Sequence, residues 1–203
     1  MTQHPVYDGE GLAECGNLFE KLRELLPKDT VVSEADLPDA FANVLRHYWF
    51  YGYSSQMVSF ASCPTGLPMI KLLVAGEVRW VVFEPVTTVT ALQEIDTTLK
   101  SITDITEALE QLTFESLAGL KEKGAQMFVG TQHAKQIMYI PTGFICAEQC
   151  MNGMLVYGIR RTFAMSSQTV VPAYTALAGL HDKTNKKGAK MHELVDVLQR
   201  MTE

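Results

Sequence analysis

No apolar run in the chain reaches the ~18–20 residues that a membrane-crossing helix needs, so a helical membrane span is excluded. Cysteine is scarce and scattered. Cys15, Cys63, Cys146 and Cys150 form no C-x-x-C pair, which argues against a zinc ribbon or a dense disulfide framework. Free thiols in a reducing compartment, cytoplasmic or nuclear, are the simplest expectation. Basic charge is not in excess either: 17 Lys and Arg stand against 23 Asp and Glu, a net charge of -6. Such a balance gives no pull toward nucleic acid or an anionic membrane. The one basic cluster, Lys183, Lys186, Lys187 and Lys190, is expected as a solvated approach to the last helix. Met1 to Glu10 is polar and carries Asp8 and Glu10, so no signal peptide is expected there. The phosphate-binding, dinucleotide-binding, nucleophile-elbow and H-E-x-x-H zinc motifs are all missing, as are internal repeats and low-complexity segments.

What remains is an ordinary globular composition. Of 203 residues, 47% are hydrophobic and 20% charged, enough apolar material for one sizeable core and one domain spanning 1–203. Residues 1–50 are expected to be helical. Leu18, Leu22 and Leu25 recur at helical spacing until Pro27, and a second helix from Pro38 would bury Phe41, Val44, Leu45 and Tyr48. From Tyr51 the composition turns to branched and aromatic residues. Strands are expected at 57–61, 69–75 and 78–83, the last two joined by a tight turn at Gly76-Glu77. Helical periodicity returns between about 90 and 124, with one stripe at Ile105, Leu109 and Leu112, a second at Leu117 and Leu120, and Gly124 as a stop. Strands resume at 127–129, 136–140, 144–150 and 154–163. A final amphipathic helix follows within 166–203, carrying Met191, Leu194, Val195, Leu198 and Met201.

Two segments carry a family resemblance. Gly76-Glu77-Val78-Arg79-Trp80-Val81-Val82-Phe83-Glu84-Pro85 is a glycine turn, a strand with a tryptophan and a proline exit. Gln136-Ile137-Met138-Tyr139-Ile140-Pro141-Thr142-Gly143-Phe144-Ile145-Cys146 is a strand, a Pro-x-Gly turn and a second strand. In that order, and separated by a helical insertion, they resemble the Jumonji-C branch of the cupin-like superfamily. The resemblance implies a mainly β, or α+β, fold: a double-stranded β-helix barrel over 51–165, with helices before, within (about 90–124) and after it.

Enzymes of that family hold iron(II) with two histidines and one carboxylate, leaving positions open for 2-oxoglutarate and oxygen. Aligned on Trp80, the ligand positions fall on Ala61, Cys63 and Cys146, and that of the lysine for 2-oxoglutarate on Val78. Residues 55–75 contain no His, Asp or Glu. The resemblance therefore implies a degenerate member with no catalytic residues, no metal and no cofactor. Cys63 and Cys146 are expected as small core residues rather than as a thiolate metal site.

Three other features bear on binding. Lys71 is either a pocket-facing cation for an anionic ligand or an edge-strand lysine turned to solvent. Arg160 and Arg161 lie next to each other in a strand, so one points inward, where it would pair with Glu148 or hold a carboxylate. Trp49, Phe50, Tyr51 and Tyr53 would line a groove or close one end of the barrel. The candidate pocket is thus Cys63, Lys71, Cys146 and Arg160.

The expected function is that of a catalytically inactive Jumonji-C/cupin-like protein serving as an interaction or scaffold module, with protein partners, among them a second copy in a homodimer. Two alternatives stay open: a metal-independent binder of a small organic acid inside the barrel, and a 2-oxoglutarate oxygenase-like enzyme with a non-standard metal site. Membrane and nucleic-acid partners are not expected.

Overall fold

The computed structural model of the chain describes residues 2–5, 21, 24, 47–52, 57–62, 67–151, 155–162, 175, 178–180 and 186–200. Among them are nine strands: β1 (Thr2–Pro5), β2 (His47–Gly52), β3 (Met57–Ser62), β4 (Met69–Ala75), β5 (Glu77–Phe83), β6 (Met127–His133), β7 (Ile137–Ile140), β8 (Ile145–Cys150) and β9 (Val156–Thr162). The helices are α1 (Pro85–Ile95), α2 (Ile102–Glu110), α3 (Phe114–Glu122) and α4 (Lys186–Arg200).

The strands form two antiparallel sheets, one in the order β1-β2-β9-β4-β7 and the other in the order β3-β8-β5-β6. The pairing is nested, with β2 on β9, β3 on β8, β4 on β7 and β5 on β6. The two sheets stack face to face as a sandwich. Period-two alternation supplies its interior. Met69 and Leu73 of β4, Ile140 of β7 and Val156 of β9 meet Val78, Trp80 and Val82 of β5 and Cys150 of β8 in one buried cluster.

Two features correct the expected fold. No ladder among the described residues joins the two sheets, so the closed double-stranded β-helix barrel of Jumonji-C or cupin type gives way to two open, stacked sheets. Closure is a property of hydrogen bonding between first and last strands, and apolar alternation looks the same in a sandwich as in a barrel. Residues 1–50 are also not wholly helical. Thr2–Pro5 and His47–Gly52 are strands, and Tyr48, expected on a helix, lies in β2. Of the expected first helix only Lys21 and Glu24 are described, both helical; the remainder of both expected helices lies outside the described residues.

The inserted helices cover the outer face of the second sheet. Phe83 of β5 and Ile145 of β8 are buried there against Ala91, Leu92, Ile105, Leu109 and Leu120. Each of these helices has a definite start. Pro85 opens α1 behind Glu84, whose carboxylate accepts from the amides of Val86 and Thr87 at 3.1 and 2.7 Å. Ser101 with Asp104 caps α2 and Thr113 with Ser116 caps α3, each as a reciprocal box. Lys186, Lys187 and Lys190 lie in the first turns of α4 rather than in a linker before it. Leu194 and Val195 of α4 are buried, so that part of its apolar stripe is core.

Candidate functional site

Three of the four sequence candidates, Lys71, Cys146 and Arg160, lie close together around the sandwich interior. β4 is flanked by β9 and β7, so Lys71 is not on an edge; its side chain turns inward and is 2% exposed. Its ammonium forms an ion pair with the carboxylate of Glu148, which reaches across from β8 in the opposite sheet. The same ammonium lies 4.8 Å from the ring centroid of Trp80, within cation–π range. Trp80 Nε1 donates to Gln132 Oε1 at 3.1 Å. Gln132 Nε2 in turn donates to the backbone carbonyls of Lys71 and Gln136, each at 2.9 Å. Burial pulls the Lys71 ammonium below the usual lysine range. Glu148 opposes that shift and nearby Arg160 adds to it.

Every bond in this cluster joins one sheet to the other or supports a group that does. Lys71 and Gln136 belong to the first sheet or its margin, whereas Glu148, Trp80 and Gln132 belong to the second. Slipping a strand by one residue would move Lys71 or Glu148 to the wrong face and break the ion pair in the interior. The cluster therefore latches the two sheets in one register.

Arg160 sits beside Lys71 in the β4–β9 register and is half-buried. Lys71 is an inward partner of Glu148; sequence reasoning named an arginine for that place, and Arg160 lies beside Lys71 in the register. Cys146 is half-buried, lies opposite Ala61 on β3 and opposite Val82 on β5, and shares its face with Glu148 and Cys150. Burial pushes the Cys150 thiol up, and Glu148 pushes it further the same way, so it is a poor source of thiolate. Cys63 and Tyr53 lie outside the described residues; Trp49, Phe50 and Tyr51 lie in β2. Gln132 went unrecognised as a site residue. Its only signal was a polar side chain in phase with Phe128 on a strand next to Trp80.

These placements correct the expected function. Among the described residues no group of three His, Cys, Asp or Glu side chains is arranged to hold a metal ion. With no closed barrel either, both the inactive Jumonji-C/cupin module and the 2-oxoglutarate oxygenase are set aside. The small-acid binder placed its ligand inside that barrel, held by Lys71 or an arginine, and is set aside with it; Lys71 is engaged by Glu148.

A second feature lies at the sandwich rim. β6 ends the second sheet, and no described strand pairs with its outer side. Its seven residues, Met127-Phe128-Val129-Gly130-Thr131-Gln132-His133, run against β5 without a register shift and include no proline, lysine, arginine or carboxylate. Phe128 is 54% exposed on the interior-facing side, its ring 6.4 Å from that of Phe144; Val129, on the other face, is 51% exposed. The first sheet ends differently. Its edge strand β7 is shorter, four residues ending at Pro141, though Ile137 and Tyr139 on it are also exposed.

No helix among the described residues is long and apolar enough to cross a membrane. Neither a protein-family model nor a curated protein matches the chain.

Proposed function

We propose that this protein is a protein-interaction module that takes up an extended segment of a partner along the outer side of β6. The observation that carries this reading is an edge with no strand on its outer side among the described residues: seven residues in unbroken register, without lysine, arginine, carboxylate or proline, with an apolar side chain more than half exposed on each face. Soluble proteins blunt such edges with lysine, proline or bulges, because an open row of amides and carbonyls pairs with any strand that fits. Strand addition draws affinity from those main-chain groups and specificity from alternate side chains, here Phe128 on one face and Val129 and Thr131 on the other. The interior latch suits this role, since it holds the sheet that presents β6 in fixed register. The scattered cysteines favour a reducing compartment, cytoplasm or nucleus, as the place of work.

Fluorescence anisotropy with labelled seven-residue peptides that alternate apolar residues and threonine tests the reading. The intact protein is expected to bind members of the set. Val129→Lys is expected to weaken that binding by at least about tenfold, as edge lysines do. Ile137→Lys, on β7, is expected to leave it unchanged. With the protein diluted until it is monomeric, binding that is insensitive to Val129→Lys, or no binding at all, would remove the proposal.

A further inference from the structure

The chemistry of β6 also indicates what pairs with it. We infer that the strand added to β6 is β6 of a second copy of this chain, antiparallel, with the two-fold axis passing through Gly130. This rests on the strand-addition reading and goes beyond it by naming the occupant.

A homotypic antiparallel pair is its own mirror in register: the residue a given number of places before the centre opposes the one the same number after it. Centring on Gly130, the middle of Met127–His133, pairs all seven residues. Met127 then opposes the second copy's His133, Phe128 opposes its Gln132, and Val129 opposes its Thr131. No charged residue meets its own kind anywhere along the contact, which is the usual obstacle to like strands pairing. For a chain of net charge -6, this strip carries no carboxylate of its own, and its His133 Nδ1 lies 2.6 Å from the Glu77 carboxylate, so two copies approach along it without placing carboxylate against carboxylate.

The two glycines at the centre are a specific fit. A Cβ built on Gly130 would meet nothing within 4 Å, so the strand face there is bare. Phe128 lies on that same face two residues away, 54% exposed. In the two-fold pair each copy's Phe128 is the diagonal neighbour of the other's Gly130, within the reach of an aromatic side chain. Laying an aromatic ring over a cross-strand glycine is a recognised stabilising arrangement in sheets. The ring gains cover and the bare backbone is shielded. Gln132 does not compete for this space, because its amide is already held inward by Trp80, Lys71 and Gln136. On the other face Val129 meets Thr131, a β-branched pair suited to a strand contact.

Sedimentation equilibrium with two charge variants tests this register. Val129→Lys/Thr131→Lys places lysine opposite lysine twice in the two-fold pair, and Val129→Glu/Thr131→Glu places glutamate opposite glutamate twice. Val129 and Thr131 are exposed, so both variants are expected to melt as the unaltered protein does. The unaltered protein is expected to dimerise, each variant alone to dissociate at least about tenfold more readily, and an equimolar mixture to recover dimer as a heterodimer. An unaltered protein that stays monomeric at about 100 µM overturns the inference. So does a dimer that survives in both variants, or a mixture that recovers none. If the protein is monomeric yet still binds strand peptides at β6, self-pairing fails and the interaction module stands; if it does neither, both fail.

Discussion

Replacing Glu148 by alanine is expected to lower the free energy of unfolding by about 3–5 kcal/mol, seen as an earlier midpoint in urea at unchanged slope. The cost comes less from a lost attraction than from what is left behind. Lys71 is 2% exposed, and without Glu148 its ammonium would be held in the sandwich interior beside the like charge of Arg160. Shedding the proton caps the penalty. Neutralising a lysine of ordinary pKa 10.5 at pH 7 costs about 5 kcal/mol, so no larger loss is expected from this source. Removing both charges reverses most of the damage. Lys71→Met/Glu148→Leu is expected to lie within about 1–2 kcal/mol of the unaltered protein, because a packed apolar pair can replace a buried ion pair without net loss. If the single variant were as stable as the double, the pair would not be the latch between the sheets.

Gly76→Ala is expected to cost about 2–5 kcal/mol, for two independent reasons. Gly76 has a φ of +84°, in the left-handed region, where a side chain costs about 1–2 kcal/mol. A Cβ there would also stand 2.7 Å from the carbonyl oxygen of Leu155 and 2.8 Å from Cγ2 of Val156. Two of the three nearest atoms are backbone, so relief requires moving the start of β9, and forced overpacking of this kind costs about 1–3 kcal/mol more. Gly124 provides the control. Its φ is +90°, yet nothing lies within 4 Å of a Cβ built there, so Gly124→Ala should show only the conformational part of the loss. Thermal or urea unfolding of the two variants side by side separates strain from clash.

Much of the strand layout was legible from sequence because side-chain shape and burial agree there. Met69 to Ala75 is rich in branched and aliphatic residues and forms β4 with those bounds. Val78, Trp80 and Val82 alternate inward as a half-buried strand should. Legibility failed where two periods fit the same letters. Tyr48 continues a helical stripe from Phe41 and Val44 equally well as it enters the aromatic strand β2. β6 was expected to stop at Val129, since Gly130, Thr131, Gln132 and His133 lack the apolar alternation of a core strand. That same poverty accompanies an edge that no described strand covers. Whether the sheets close was not legible at all, because inward and outward alternation carries no record of which edges meet. Lys71 was half legible: the interior was one of two placements open to it, and its partner was not readable, since Glu148 lies in another sheet, 77 residues away in sequence.

Hydrogen exchange of the β6 amides, followed by mass spectrometry on protein diluted until it is monomeric, with and without a bound strand peptide, tests the central claim most directly. Amides on the outer side of an unpaired edge exchange rapidly, and strand addition should slow them. The account predicts that protection appears within residues 127–133 and that residues 137–140 of β7 are unaffected. A peptide that binds while leaving exchange in residues 127–133 unchanged would place the interaction elsewhere and contradict it.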